Sequence, residues 1–197
     1  MQTPTRLSFE DYLSLEVGTV DGLPKGRHTV VDGALVAVPP ESEPNSAIAT
    51  KLLLLLVQAG MSYRLIKTHT CEVEVPPLSK PKVPRTRYPD LVVLRPEHLE
   101  LTQRRLTITR EMPAPQLVVE VVSPGRSNRQ RDYEDKLVQY AERGVPEYWI
   151  LDRGEQRVSV LTLVGEGYEV EQFFGEQRVV TGILPGLVMT AEQVLEA

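Results

Sequence analysis

The run Leu117-Val118-Val119-Glu120-Val121-Val122-Ser123-Pro124 is short, apolar and rich in β-branched residues, the composition of a strand covered on both faces. Glu120 interrupts it. A carboxylate in such a strand costs on the order of several kcal/mol unless it is paired or bound to a cation. Leu91 to Leu94 is a second run of the same kind, with Pro89-Asp90 at its head, and Glu147 to Leu151 is a third. Between the first and third lies a helix that Asp132 can cap. Its apolar stripe is Tyr133, Leu137, Tyr140 and Ala141, and it ends at Gly144 with Pro146 beyond. Lys136 follows Tyr133 by three positions and precedes Tyr140 by four, which puts it on or beside that stripe and away from the solvent face.

Working outward, Ser8 can cap a short helix over Phe9 to Leu15. Asp32-Gly33 sits between the apolar runs of Thr29 to Val38, a hairpin signal because both turn residues tolerate positive φ. Asn45 or Ser46 can cap a helix through Ile48, Leu52, Leu55, Leu56 and Ala59, stopped by Gly60. Leu52 to Val57 is apolar all round, so this helix is expected to be buried on most sides or used between copies of the chain. Arg64 to Val75 alternates Cys71, Val73 and Val75 with Glu72 and Glu74, the period of a half-buried strand. A proline-rich basic loop then carries Lys80, Lys82, Arg85 and Arg87. Arg157 to Val164, Tyr168 to Phe174 and Arg178 to Thr181 read as antiparallel strands, with a turn at Gly165-Glu166-Gly167. Thr190 and Gln193 have capping-box spacing for a last short helix.

The 197 residues, 41% hydrophobic and 25% charged, are ordinary globular composition and predict one domain over residues 1–197 that needs neither metal nor disulfide to fold. The one cysteine, Cys71, excludes an intramolecular disulfide and suits a reducing compartment. No run approaches the ~20 apolar residues of a membrane span, and the first six residues lack the pattern of an export signal. A cytoplasmic protein is expected. A net charge of −5 argues against a nucleic-acid coat held by bulk charge, though local basic patches remain, including Arg126 and Arg129. His28, His69 and His98 have no ligand spacing and are assigned to surface or core. No nucleophile elbow or phosphate-binding glycine loop is present.

Two acids on neighbouring buried strands plus one inward lysine, Asp90, Glu120 and Lys136, are the minimum apparatus for metal-dependent hydrolysis of a phosphodiester. Carboxylates hold a hard cation such as Mg²⁺, which lowers the pKa of a bound water, while an ammonium orients the nucleophile or steadies the transition state.

At these residues the chain resembles the Uma-two family of bacterial endonuclease-like proteins, within the PD-(D/E)xK, restriction-endonuclease-like superfamily. The strings are Pro89-Asp90, Glu120-Val121-Val122-Ser123-Pro124, Asp132 through Lys136, Tyr140, and Gly144-Val145-Pro146-Glu147-Tyr148-Trp149-Ile150-Leu151-Asp152. The resemblance runs from Asp32-Gly33 to Leu184-Pro185-Gly186-Leu187. It implies an α/β (α+β) restriction-endonuclease-like core: a central mixed β-sheet flanked by helices, with extra antiparallel strands at the C-terminal end. It further implies Asp90, Glu120 and the Val121 carbonyl as ligands of Mg²⁺ or Mn²⁺. Val122 stands where the superfamily often has its lysine, so that role passes to Lys136, with Gln139 and Tyr140 one turn on. The chain departs from the family pattern at Thr29, where relatives usually have Glu, and at Asn45, where His is common; Glu72 or Glu74 could supply a substitute carboxylate.

The leading expectation is a metal-dependent DNA endonuclease, with Lys80, Lys82, Arg85, Arg87, Arg126 and Arg129 on the nucleic acid and the protein a homo-oligomer, dimer or higher. Thr29 and Asn45 motivate an alternative, a catalytically inactive nuclease-fold module for nucleic-acid binding or assembly. A third reading is a structural oligomer whose buried acids pair with Arg or Lys.

Overall fold

The computed structural model describes residues 6–15 and 25–196; residues 1–5, over which no export signal is read, lie outside the described residues. Helix α1 (Phe9–Ser14) starts at Ser8, whose hydroxyl accepts from the Asp11 amide while the Asp11 carboxylate accepts from the Ser8 amide. This reciprocal cap satisfies donors that the helix cannot. Strands β1 (His28–Val31) and β2 (Ala34–Ala37) form the expected hairpin, with Val31 opposite Ala34. Asp32 and Gly33 both take positive φ, 51° and 80°, as a two-residue primed turn requires.

Helix α2 (Glu43–Gln58) is capped by Ser42, not by Asn45 or Ser46. Pro44 in the first turn explains the earlier start, since an N–H there would have no helical partner anyway. Next comes β3 (Ile66–Thr68), and here the single strand expected over Arg64 to Val75 breaks. His69 takes φ 53°, and the chain resumes as β4 (Glu72–Glu74) in a different sheet. Glu72 and Glu74 are as buried as the apolar residues between which they alternate. The period of two therefore marks two covered faces, one of them polar and paired.

The chain continues through β5 (Thr86–Arg87), β6 (Leu91–Val93), α3 (His98–Leu101), β7 (Thr107–Ile108) and β8 (Leu117–Val121). The following helix begins before Asp132. It comprises α4 (Arg126–Gln130), one π turn over Arg131–Asp135, and α5 (Lys136–Arg143), closed by Gly144 at φ 78°. Strands β9 (Glu147–Asp152), β10 (Arg157–Val164) and β11 (Gly167–Phe174) precede α6 (Ala191–Leu195), whose capping box is Thr190 with Gln193. Arg178 to Thr181 is not a strand: Arg178 alone bridges Thr190, and the Thr181 hydroxyl turns inward to Glu147 at 2.6 Å.

The main sheet has six strands in the order β11-β10-β9-β8-β6-β3, all antiparallel except the parallel pair β8 and β9. Parallel neighbours need a crossover, and α4 with α5 supplies it. β5, β4 and β7 make a smaller sheet. Alternation along the strands sorts the core onto two faces. Leu117, Val119 and Val121 join Leu91, Val93 and Trp149 beneath Ile48, Leu52 and Leu56 of α2 and Val194 of α6. Val118 and Val122 join Val92, Leu94, Tyr148 and Ile150 against Tyr140 of α5. The fold is thus the mixed sheet flanked by helices, with added antiparallel strands near the C-terminus.

Helix α2 is buried on one face only: Leu52 and Leu56 are fully buried, whereas Leu54 is 52% exposed. Leu52→Ala should therefore cost about 2–5 kcal/mol, and Leu54→Ala no more than about 0.5 kcal/mol, measured by chemical denaturation. A large cost at Leu54 would show that a second copy covers it.

Candidate functional site

The register of the central strands sets the site. Leu91 pairs with Val119 and Val92 with Val118, so one step further Asp90 stands opposite Glu120. Opposite residues of an antiparallel pair share a face, here the face that carries Val92, Val118 and α5. Both carboxylates are buried, 4% and 3% exposed. Asp90 Oδ2 accepts from the Val121 amide at 2.6 Å, and its Oδ1 lies 3.3 Å from His69 Nδ1. Glu120 Oε1 accepts from the Tyr140 hydroxyl at 2.7 Å and Oε2 meets Lys136 Nζ at 2.8 Å. Burial pushes the Glu120 carboxyl up, Lys136 opposes the shift, and Asp90 and Asp132 add to it.

Lys136 Nζ is also 2.7 Å from Asp132 Oδ1. Asp132, read from sequence as a helix cap, is fully buried inside the helix. The π turn that contains it lets the Lys136 amide reach back five residues to the Arg131 carbonyl. Such turns widen a helix locally and recur at functional sites. The signal that could have revealed Asp132 is its spacing of four from Lys136.

A cavity of about 380 Å³ opens over these groups. Asp90, Glu120 and Lys136 all line it, with Thr29, Glu41, Arg27, Arg87 and Arg131. Arg87 Nε and Nη2 donate to Gln139 Oε1 at 2.9 and 2.7 Å, and Gln139 donates in turn to the Pro76 carbonyl. Among the described residues no carboxylate is within ion-pair distance of Arg87, and burial lowers its pKa. A buried guanidinium held by a neutral amide leaves positive charge at the cavity wall.

Thr29 lines the cavity, and Asn45 lies behind its lining residues Glu41, Val121 and Ser123. Thr29 Oγ1 is 2.7 Å from Thr86 Oγ1. Asn45 Nδ2 donates to the Val121 carbonyl at 3.3 Å, to Ser123 Oγ at 3.0 Å and to Glu41 Oε1 at 2.9 Å. Glu72 and Glu74 do not line the cavity. Glu72 is taken up by the Tyr12 hydroxyl, the Thr107 hydroxyl and Arg105, and Glu74 by Arg85 and the Arg110 amide. Neither is free to substitute for a missing ligand.

The basic residues are dispersed. Lys80 pairs with Asp135 at the surface, and Lys82 is exposed. Arg85 is committed to Glu74 and to the Phe9 ring, 4.8 Å away. Arg129 binds Asp152 at 2.8 Å and, with Arg126 and Arg157, borders a second cavity around Tyr133.

One group among the described residues can hold a divalent metal ion: Glu41, His69 and Asp90 each offer a ligand atom, all within 4.8 Å of one another. Sequence spacing could not suggest it, because the three come from a loop before α2, a loop after β3 and the head of β6. No described helix is long and apolar enough to cross a membrane.

A family model described as "Uma2: Putative restriction endonuclease" matches residues 9–192. Among solved structures, the chain is similar to that of "a putative nuclease belonging to DUF820 from Anabaena variabilis ATCC 29413", with a TM-score of 0.63 at 16% identity over 95% of this chain and 96% of that one. At this identity the likeness speaks for the fold. No curated protein is similar enough to match.

Lys136→Met would leave Glu120 and Asp132 as buried carboxylates without their shared ammonium, a loss of about 3–5 kcal/mol at neutral pH. Burial already raises the Glu120 carboxyl, and removing the ammonium raises it further. A raised carboxyl makes stability fall as pH climbs from the ordinary glutamate range through the folded-state value, so the penalty should shrink in mild acid. Denaturation melts of both proteins across that range check this; a penalty indifferent to pH would refute the charge account.

Proposed function

This chain is a member of the Uma2 family, and on that premise we propose that it is a divalent-metal-dependent DNA endonuclease hydrolysing phosphodiester bonds, a single nuclease-like domain over residues 1–197. The observation that carries the proposal is the convergence of Asp90, Glu120 and Lys136 on one cation-lined cavity although they are far apart in sequence. The donor set around Asp90 fits a divalent cation, with oxygen and imidazole nitrogen atoms close enough to share one.

In this reading Asp90, Glu120 and the Val121 carbonyl hold Mg²⁺ or Mn²⁺. When bound, such an ion acidifies a water and screens phosphate charge. The Val121 amide fixes Asp90 Oδ2. Tyr140, its hydroxyl kept protonated by burial beside Glu120, fixes Glu120 Oε1. Lys136 has three donors; Glu120 and Asp132 take two, and the third is free for the reacting phosphate or its nucleophile. Arg87 and Arg131 add positive charge where a phosphate would lie. Lys80, Lys82, Arg126 and Arg129 track the nucleic-acid backbone, while Arg85 acts through the wall it braces and Gln139 through Arg87. The exposed Leu54 and the edge strand β11 suit contact with a second copy. Cys71, buried with its thiol pushed up to about 12, is inert and fits a reducing cytoplasm.

A second reading is the catalytically inactive nucleic-acid-binding or assembly module. Its support is the Asn45 amide, which occupies the Val121 carbonyl that would otherwise ligate the ion.

Single-turnover cleavage of supercoiled plasmid and oligonucleotides with Mg²⁺ or Mn²⁺ separates the two. Asp90→Asn should abolish cleavage and weaken metal binding. Lys136→Ala, assayed at saturating metal, should lower the cleavage rate by about 10²–10³-fold, the scale for removing one positioned donor. Salt-sensitive DNA binding without cleavage under either ion would establish the inactive module instead. Replacing Lys80 and Lys82 together by Ala should weaken binding to all sequences alike and flatten the dependence of log affinity on log salt.

A further inference from the structure

Asp90 divides its carboxylate between two neighbours. Oδ2 is committed to the Val121 amide, while Oδ1 lies 3.3 Å from His69 Nδ1. That approach lacks hydrogen-bond geometry: Nδ1 and Nε2 of His69 are both shielded from solvent and neither has a hydrogen-bond partner. Buried polar atoms are nearly always satisfied, and one left over points to a water or an ion. The ring is held where it is, because the His69 amide donates to the Asp90 carbonyl at 3.2 Å and the His69 carbonyl accepts from Arg27 Nη1 at 3.2 Å. Glu41 completes the group. Its hydrogen bonds, from Asn45 Nδ2 and the Ser42 amide, both end on Oε1, which leaves Oε2 the unengaged oxygen.

We propose that Glu41, His69 and Asp90 form a site for a divalent first-row transition-metal ion, such as Mn²⁺, Co²⁺, Ni²⁺ or Zn²⁺. The proposal rests on the reading above, in which Asp90 meets a divalent cation, and it names different partners for Asp90. The all-oxygen set of Asp90, Glu120 and the Val121 carbonyl suits a hard ion such as Mg²⁺. An imidazole in the set shifts preference toward the first-row transition metals. Two features already described favour the second set in this chain. Both Glu120 oxygens are engaged, by Lys136 and Tyr140, and the Val121 carbonyl is engaged by Asn45. Glu41 and Asp90 line the cavity, so an ion held there would be open to it, with three protein ligands and room for water or substrate.

Calorimetric titration of the full chain with Mn²⁺, Zn²⁺ and Mg²⁺ tests this. His69→Ala and Glu41→Gln should each weaken Mn²⁺ and Zn²⁺ by at least ~10-fold, the loss seen even for outer-sphere partners of a ligand. Mg²⁺, which an imidazole in the ligand set disfavours, should bind more weakly than Mn²⁺. On the wild-type protein, Mn²⁺ should broaden the His69 imidazole resonances before those of His28 and His98, a readout that does not depend on any variant folding. If Glu120→Gln loses Mn²⁺ while His69→Ala binds it fully and the His69 resonances stay sharp, the all-oxygen set holds the ion: this proposal fails and the metal-dependent nuclease reading stands. If none of the ions binds the wild type, both fail.

Discussion

The ammonium of Lys136 between Glu120 and Asp132 is the interaction on which the centre of this molecule depends. Strand β8 is covered on both faces and yet carries a carboxylate in its middle. Water cannot solvate that charge, so a cation must be brought to it, and the crossover between β8 and β9 passes over the right face. The helix that makes a parallel pair topologically possible also supplies the counter-charge. Fold and site are therefore one solution to one problem: the same residues that let β8 be buried put the Lys136 ammonium and the Glu120 carboxylate against one cavity, with Asp132 and the Tyr140 hydroxyl behind them.

Acidic residues elsewhere in the chain show what a purely structural arrangement looks like. Glu72 and Glu74 in β4 have donors on every oxygen, among them Arg105 and Arg85, and they face the small sheet and α1. Asp90, Asp132 and Glu41 each keep an oxygen that is not taken up in this way, and Asp132 Oδ2 is buried with no partner at all. The contrast is between completed and incomplete coordination, and two of the incomplete groups, Asp90 and Glu41, line the cavity.

Much of this was legible in the sequence because burial constrains composition. Glu120 stood out as a charge in an apolar strand, Asp90 as the head of a neighbouring one, and Lys136 as a cation on an apolar stripe. The hairpin at Asp32-Gly33 and the caps at Ser8 and Thr190 were readable because a turn or a helix end makes a local chemical demand. What escaped was set by long-range geometry. The break at His69 has no local marker, since the alternation through Val75 continues past it. Asp132 looks like a cap because the same residue type serves both purposes, and the buried Lys136 that decides between them is itself known only from the fold. Glu41 and His69 sit in separate loops: the pairing of β3 with β6 brings His69 to Asp90, and Asn45 ties Glu41 to the end of β8.

The β1–β2 hairpin belongs to neither of the other two sheets. It contributes Thr29 to the cavity wall, and it is tied to the body through the Thr29–Thr86 contact, the Arg85 amide on the Val30 carbonyl and the Tyr12 hydroxyl on the His28 carbonyl. A two-stranded ribbon has little stability of its own, and its small apolar cluster is shared with α1. The cavity is thus built from parts of unequal strength: a floor that belongs to the central sheet, and a wall tied to the body by a few contacts. The width of the opening becomes an adjustable quantity, governed by a few hydrogen bonds remote from the carboxylates, so that access to the cavity and the charged groups at its floor can be altered by separate sets of residues.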